Sequence, residues 1–274
     1  MRCLGPYDDK AVPSFATLVT DSTPDRRAAL KPVQKAVAIA CAAYDDAVPE
    51  VHDLQPITLT AELRNALIDG YDGRTVAIKR RLAKMIDSLP AADADLCPYC
   101  SLDTNPDLDH FLPKARFPEF SLHARNLIPI CTTCNRKKLN AFKKSNGDRL
   151  FLHPSTEPSN NALVLKADLT FKNDGMTVRY RIDDAGLLSK PERALVDRHY
   201  LRLGLGTRYS RRAHSHLASF KLSIAGAPMK AVSQTLDNKI STASIGEPVN
   251  GWRPALYRTI ADNKPQTLAW LSNA

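Results

Sequence analysis

Leu30, Val33, Val37 and Ala40 recur at three- and four-residue intervals, the period of one face of an α-helix, and predict a helix over about 24–47. Thr23-Pro24-Asp25 marks its start, a side-chain cap followed by a proline in the first turn. Thr60 opens a second predicted helix that ends at Gly70. A third spans about 74–88, with Val76, Ile78, Leu82, Met85 and Ile86 apolar and Lys79, Arg80, Arg81 and Lys84 on the other face. That basic face reads as a solvated surface, with contact to a nucleic-acid backbone as the alternative. The first 20 or so residues lack such a period and read as an irregular arm.

The period changes further along. After a small-residue linker at 90–96, residues 163–171 and 176–182 read as two strands, with Asn173-Asp174-Gly175 as the hairpin turn between them. Ser189-Lys190-Pro191-Glu192 then opens a helix toward Leu203. Gly204 and Gly206 interrupt it, a further helix covers about 207–223, and the last 45 or so residues are helical but weakly patterned. The expectation is an α+β chain, mostly α, in three regions: helices over 1–90, a small core over 91–154, and a hairpin with C-terminal helices over 155–274.

Charge narrows the partners. The chain carries +9 over 274 residues, which favours a polyanion such as nucleic acid or an anionic membrane. Between Asp109 and Leu150 nine Lys/Arg face three acids, a net +6, and 198–221 adds six basic residues and no acid. With no apolar run of about 18 residues, no membrane span is expected. The N-terminus lacks a secretory apolar region, so a cytoplasmic setting is expected. In a reducing compartment, paired cysteines bind metal more often than they form disulfides.

Cys97-Pro98-Tyr99-Cys100 and Cys131-Thr132-Thr133-Cys134 are two such pairs. Each CxxC can turn two thiolates onto one cation, and four complete a closed tetrahedral zinc shell, which is structural because it leaves no open position. Cys3 and Cys41 fall outside the pattern, and Cys41 lies on the apolar face of the first helix, a core position.

The two knuckles enclose Leu108-Asp109-His110-Phe111-Leu112-Pro113-Lys114 and Arg125-Asn126-Leu127-Ile128-Pro129-Ile130, and the second continues as Asn135-Arg136-Lys137-Lys138. Hydrolysis of a phosphodiester needs a base for water and a divalent cation for the phosphate. His110 suits the first task, with an ordinary pKa near about 6.5. Asp109 and Asn135 offer hard oxygen ligands for Mg²⁺ or Mn²⁺. Neighbours on a strand point to opposite faces, so Asp109 and His110 would need a bend to meet at one phosphate, and Pro113 is compatible with one. His123 reads as a surface residue, with a third metal or phosphate contact as the alternative. His153 reads as structural.

The strings CPYC, DHFLPK and NLIPICTTCNRKK, over residues 97–138, resemble the HNH endonuclease family in its zinc-clasped, four-cysteine form. The resemblance implies a ββα-metal core: a two-stranded hairpin and a helix around one divalent cation. It matches His110 to the general base and Asp109 to a metal-binding carboxylate. Asn126 matches the middle asparagine that holds the loop and orients the histidine, and Asn135 the last metal ligand. Many relatives have histidine at the last position, so this chain is an HNN variant. The implied cofactors are structural Zn²⁺ at Cys97, Cys100, Cys131 and Cys134 and catalytic Mg²⁺ or Mn²⁺ at Asp109 and Asn135. The implied substrate is DNA, double-stranded and read with weak sequence preference, with Lys114, Arg136, Lys137 and Lys138 as candidate phosphate contacts. The segment is also similar to HNH proteins of bacterial phage-defence and restriction systems, some of which act with an ATPase or sensor partner. An RNA-cleaving toxin and a non-catalytic zinc-organised binding module are the competing readings.

Overall fold

The computed structural model of the chain describes residues 1–4, 7–8, 10–89, 95–105, 107–157, 162–172 and 175–272. The chain forms two compact units, one made of 3–99 and 103–157 and the other of 1–2, 100–102 and 158–274.

In the first unit several helices begin at a capping side chain, although Thr23, expected to cap the helix at 24, makes no side-chain bond there. Ser14 accepts from the Thr17 amide and starts α1 (Phe15–Thr20), so the expected irregular arm contains a short helix. Its single turn and a half, with β-branched residues, gave no readable period. α2 (Pro24–Leu30) and α3 (Gln34–Ala47) follow, joined by a 3-10 turn at Lys31–Val33, and together fill the helix expected at 24–47. Leu30, Val33, Val37, Cys41 and Tyr44 form its buried stripe. Thr60 and Thr75 cap α4 (Ala61–Asp72) and α5 (Val76–Asp87) through their side chains. α5 buries Ile78, Leu82 and Met85 and leaves Lys79, Arg80 and Lys84 exposed.

These helices hold a small segment of different character. β1 (Asp107–His110) pairs antiparallel with β2 (Leu127–Ile130), with Asp109 opposite Ile128 and His110 opposite Leu127. α6 (Thr132–Lys138) follows at once and packs on β1. Pro129 lies within β2; each strand of a two-stranded ribbon has an outer edge, where a missing N–H costs little. Four side chains fix the segment to the chain around it. Tyr7 donates to the Leu127 carbonyl (3.2 Å), Tyr71 to the Leu108 carbonyl (2.9 Å) and Arg64 to the Ala115 carbonyl (2.7 Å), while buried Glu119 accepts from the Ile57 amide (2.9 Å).

In the second unit β3 (Leu165–Lys172) and β4 (Gly175–Ile182) form an antiparallel hairpin. β4 alternates strictly, with Met176, Val178, Tyr180 and Ile182 inward. Of the expected turn, Asn173 and Asp174 lie outside the described residues, as do residues 90–94 of the expected linker. A full capping box, Ser189 with Glu192, starts α7 (Lys190–Arg202). Gly204 at φ +61° turns the chain into α8 (Leu205–Ser223). At Gly206, inside that helix, a Cβ would fall 2.6 Å from the Tyr200 hydroxyl, so a larger residue would have to displace that hydroxyl from the Tyr180 carbonyl it bonds. α9 (Met229–Thr242), α10 (Trp252–Asp262) and α11 (Lys264–Ser272) complete the described chain. α10 packs on β3 and α8 on β4. The architecture is α+β and mainly helical, with two small antiparallel ribbons; among the described residues no helix is long and apolar enough to cross a membrane.

Candidate functional site

The four cysteines of the two CxxC pairs come together. Cys97, Cys100, Cys131 and Cys134 are all buried, none forms a disulfide, and their sulfurs lie within 4.8 Å of one another. Four thiolates around one ion at about 2.3 Å sit roughly 3.8 Å apart, so the cluster fits a single metal ion. Local geometry shapes both knuckles. Cys97 donates its amide to the Asp103 carbonyl (2.9 Å), closing the first turn. Cys131 caps α6, its sulfur accepting from the Cys134 amide (3.4 Å). A thiolate there also faces the positive end of the helix dipole.

Within the clasp, alternation along β1 sends its side chains to two sides. Asp107 and Asp109 face α6: the Asn135 amide donates to Asp107 (3.1 Å), and the Lys138 ammonium lies 2.8 Å from the Asp109 carboxylate. Lys138 also donates to the His110 carbonyl (2.7 Å). Leu108 and His110 take the other side. The two expected oxygen ligands, Asp109 and Asn135, therefore stand on adjacent rungs between β1 and α6, each with its own protein partner. β1 runs to His110, and the chain bends at Phe111 and Leu112, directly after it and before Pro113.

His110 is buried, and its Nε2 lies 3.0 Å from the Ser121 carbonyl. A carbonyl can only accept, so Nε2 carries the proton and Nδ1 keeps the lone pair. Tyr71 packs edge-on against the ring at 4.3 Å, and Arg74 covers Tyr71. Burial, opposed by the Ser121 bond and aided by Lys114, Lys138 and Arg74, lowers the imidazole to about 4. At neutral pH it is an uncharged base.

Asn126 is fully buried and clamps the connection. Its carbonyl accepts from the Leu112 amide (2.8 Å), and its amide donates to the Leu112 and Phe120 carbonyls (3.0 and 3.2 Å). Phe111 in turn donates to the Asn126 carbonyl (2.8 Å). Thus Asn126 fixes the backbone at Leu112 and at Phe120, the residue before the Ser121 carbonyl that holds His110.

The basic residues divide. Arg136 and Lys137 are exposed on α6. Lys114 pairs with Asp72 and lies 5.0 Å over the Tyr71 ring. Lys138 is a correction: its side chain is fully buried, so it contacts no nucleic acid and serves Asp109 instead. A lysine in the run Arg136-Lys137-Lys138 reads as surface charge. The missed signal was its spacing of four from buried Cys134, which puts both on one helix face. Asp107 was also missed.

His123 is buried rather than on the surface, its Nε2 3.0 Å from Asp45. His153 lies in the core, accepting from the Ser155 amide (3.4 Å) and bonded to Tyr44 (3.2 Å).

Comparison with known proteins adds one relative. The chain is 23% identical over 240 residues to "Protein ea31" of Escherichia phage lambda, covering 78% of each chain. No family model matches the sequence, and no solved structure matches the fold.

Proposed function

We propose that this chain is a metal-dependent endonuclease of HNH type that hydrolyses phosphodiester bonds of DNA, double-stranded and with weak sequence preference. One observation carries the reading most. A neutral imidazole is fixed through Nε2–H on a β–β–α segment, with its Nδ1 lone pair left to take a proton from water. Asp109 and Asn135 would hold Mg²⁺ or Mn²⁺, and the cysteine cluster Zn²⁺. The divalent ion supplies charge neutralisation at the phosphate. For the carboxylate of Asp109 that ion competes with Lys138, the cation already beside it. Ser121 and Asn126 keep the base oriented, and exposed Arg136 and Lys137 supply contacts to backbone phosphate without reading bases. The similarity of the motif to phage-defence systems extends the proposal to that role, in the cytoplasm, beside an ATPase or sensor partner.

The test is a panel of supercoiled plasmid, single-stranded DNA and total RNA with Mg²⁺ or Mn²⁺, using wild type and His110→Ala. Relaxation and linearisation of the plasmid are expected, with His110→Ala slower by roughly 10²–10⁴-fold and still folded. Cleavage of RNA alone would establish the toxin reading. Nucleic-acid binding without cleavage by wild type would establish the non-catalytic one.

A further inference from the structure

Leu139 combines a backbone conformation that leucine disfavours with an exposed side chain. Its backbone lies at φ 49°, ψ −132°. The Cβ of an L-residue disfavours that region, and glycine ordinarily fills it at a helix end. Yet the side chain is 67% exposed. An exposed leucine alone is ordinary, and strain alone is ordinary where burial offsets it. Here no burial offsets the strain. Three described non-glycine residues have positive φ, namely Ser101, Leu139 and Ala185, and Leu139 is the only large one.

Its neighbours place the protrusion beside the site. Leu139 directly follows α6, and its amide donates to the Asn135 carbonyl (2.9 Å). The preceding residue, Lys138, reaches the His110 carbonyl at 2.7 Å. Exposed Arg136 and Lys137 stand on the same short helix. An exposed apolar residue two and three positions past exposed Lys137 and Arg136, and next to the lysine that bonds the His110 backbone carbonyl, has the chemistry of a DNA wedge. The cations take phosphates and the leucine takes the space between two bases.

We propose that Leu139 is a wedge that enters the minor groove of duplex DNA and unstacks one base step beside the cleavage site; this rests on the reading of the site as a DNA endonuclease. The fixed backbone aims the side chain before DNA arrives, so contact costs no ordering entropy at that residue's backbone. Because backbone phosphates dominate affinity, the wedge changes the shape of the bound duplex more than the strength of binding.

The experiment uses full-length His110→Ala, which is expected to bind without cutting, and a 2-aminopurine scan along a short duplex. Binding should raise 2-aminopurine fluorescence at one step. Adding Leu139→Gly should abolish that rise while the dissociation constant stays within about threefold. It should also raise the melting temperature, because glycine relieves the strained backbone. Leu139→Met should keep the rise, and Leu139→Ala, which keeps the strain and shortens the knob, should lose it. An undiminished rise with Leu139→Gly overturns the wedge alone. If His110→Ala binds no duplex at all, the wedge and the DNA-nuclease reading fall together.

Discussion

The Lys138 ammonium lies 2.8 Å from the Asp109 carboxylate, and both side chains are buried. Burial alone pushes Asp109 up and Lys138 down, each toward its neutral form, and each opposes that shift in the other. Such a pair contributes little net stability over an apolar pair but is costly to break from one side.

Lys138→Met should therefore destabilise the first unit by about 3–5 kcal/mol, the usual cost of orphaning a buried charge. Lys138→Met with Asp109→Leu should recover much of that loss. Urea unfolding of the two single variants and the double variant gives the coupling. Additive losses would mean that the two charges do not depend on each other.

Replacing any one of Cys97, Cys100, Cys131 or Cys134 by Ser should unfold the segment around β1, β2 and α6. Metal binding at such a site supplies folding free energy on the order of 10 kcal/mol. Elemental analysis of wild type purified without chelator should find about one zinc per chain. A metal-free chain with an intact circular dichroism spectrum refutes this.

Brief EDTA treatment should stop cleavage reversibly, with Mg²⁺ or Mn²⁺ restoring it while the cysteine-bound ion stays in place. Two oxygen ligands hold Mg²⁺ weakly and exchange it, whereas a closed thiolate shell does not. Asp109→Asn should raise the Mg²⁺ concentration needed for half-maximal rate, and Asn135→His should keep part of the activity. Normal Mg²⁺ dependence in Asp109→Asn places the ion elsewhere.

Acid should unfold the protein partly through His153. Burial, with Arg149 adding to it, holds this ring neutral down to about 3, whereas an unfolded histidine titrates near about 6.5. Between those values the unfolded chain binds a proton that the native one refuses. The stability from a neutral His153 is therefore complete above about pH 6.5 and is lost as pH falls, by about 1.4 kcal/mol per pH unit. His110 and His216, each lowered to about 4, act in the same direction. His153→Gln should reduce the slope of stability against pH between 6 and 4.5 by roughly one proton's share, measured by urea midpoints at several pH values.

Much of the fold was legible because its signals are local. Thr23, Thr60 and Ser189 each mark a helix start, and the alternation of Met176, Val178, Tyr180 and Ile182 marks a strand half-buried on one face. The two CxxC pairs announced that four sulfurs would meet. What stayed hidden is set by partners distant in sequence. Nothing local says that Asn135 answers Asp107, 28 residues back, or that His123 turns inward to Asp45, 78 residues back. The burial of Lys138 was masked by its two exposed basic neighbours. α1 was masked by its shortness.

The paired rungs Asp107–Asn135 and Asp109–Lys138 also limit how the gene can drift in length. One residue inserted within α6 would rotate everything after it by about 100° about the helix axis. One inserted within β1 would send the carboxylates to the opposite side. Either event breaks at least one rung, so insertions and deletions there act as lesions, whereas point changes can be absorbed. The exposed tip at Lys144–Gly147, closed by the Gly147 amide on the Lys144 carbonyl (3.1 Å), has no such constraint. Length variation among descendants of this sequence should collect at the tip and avoid the rungs.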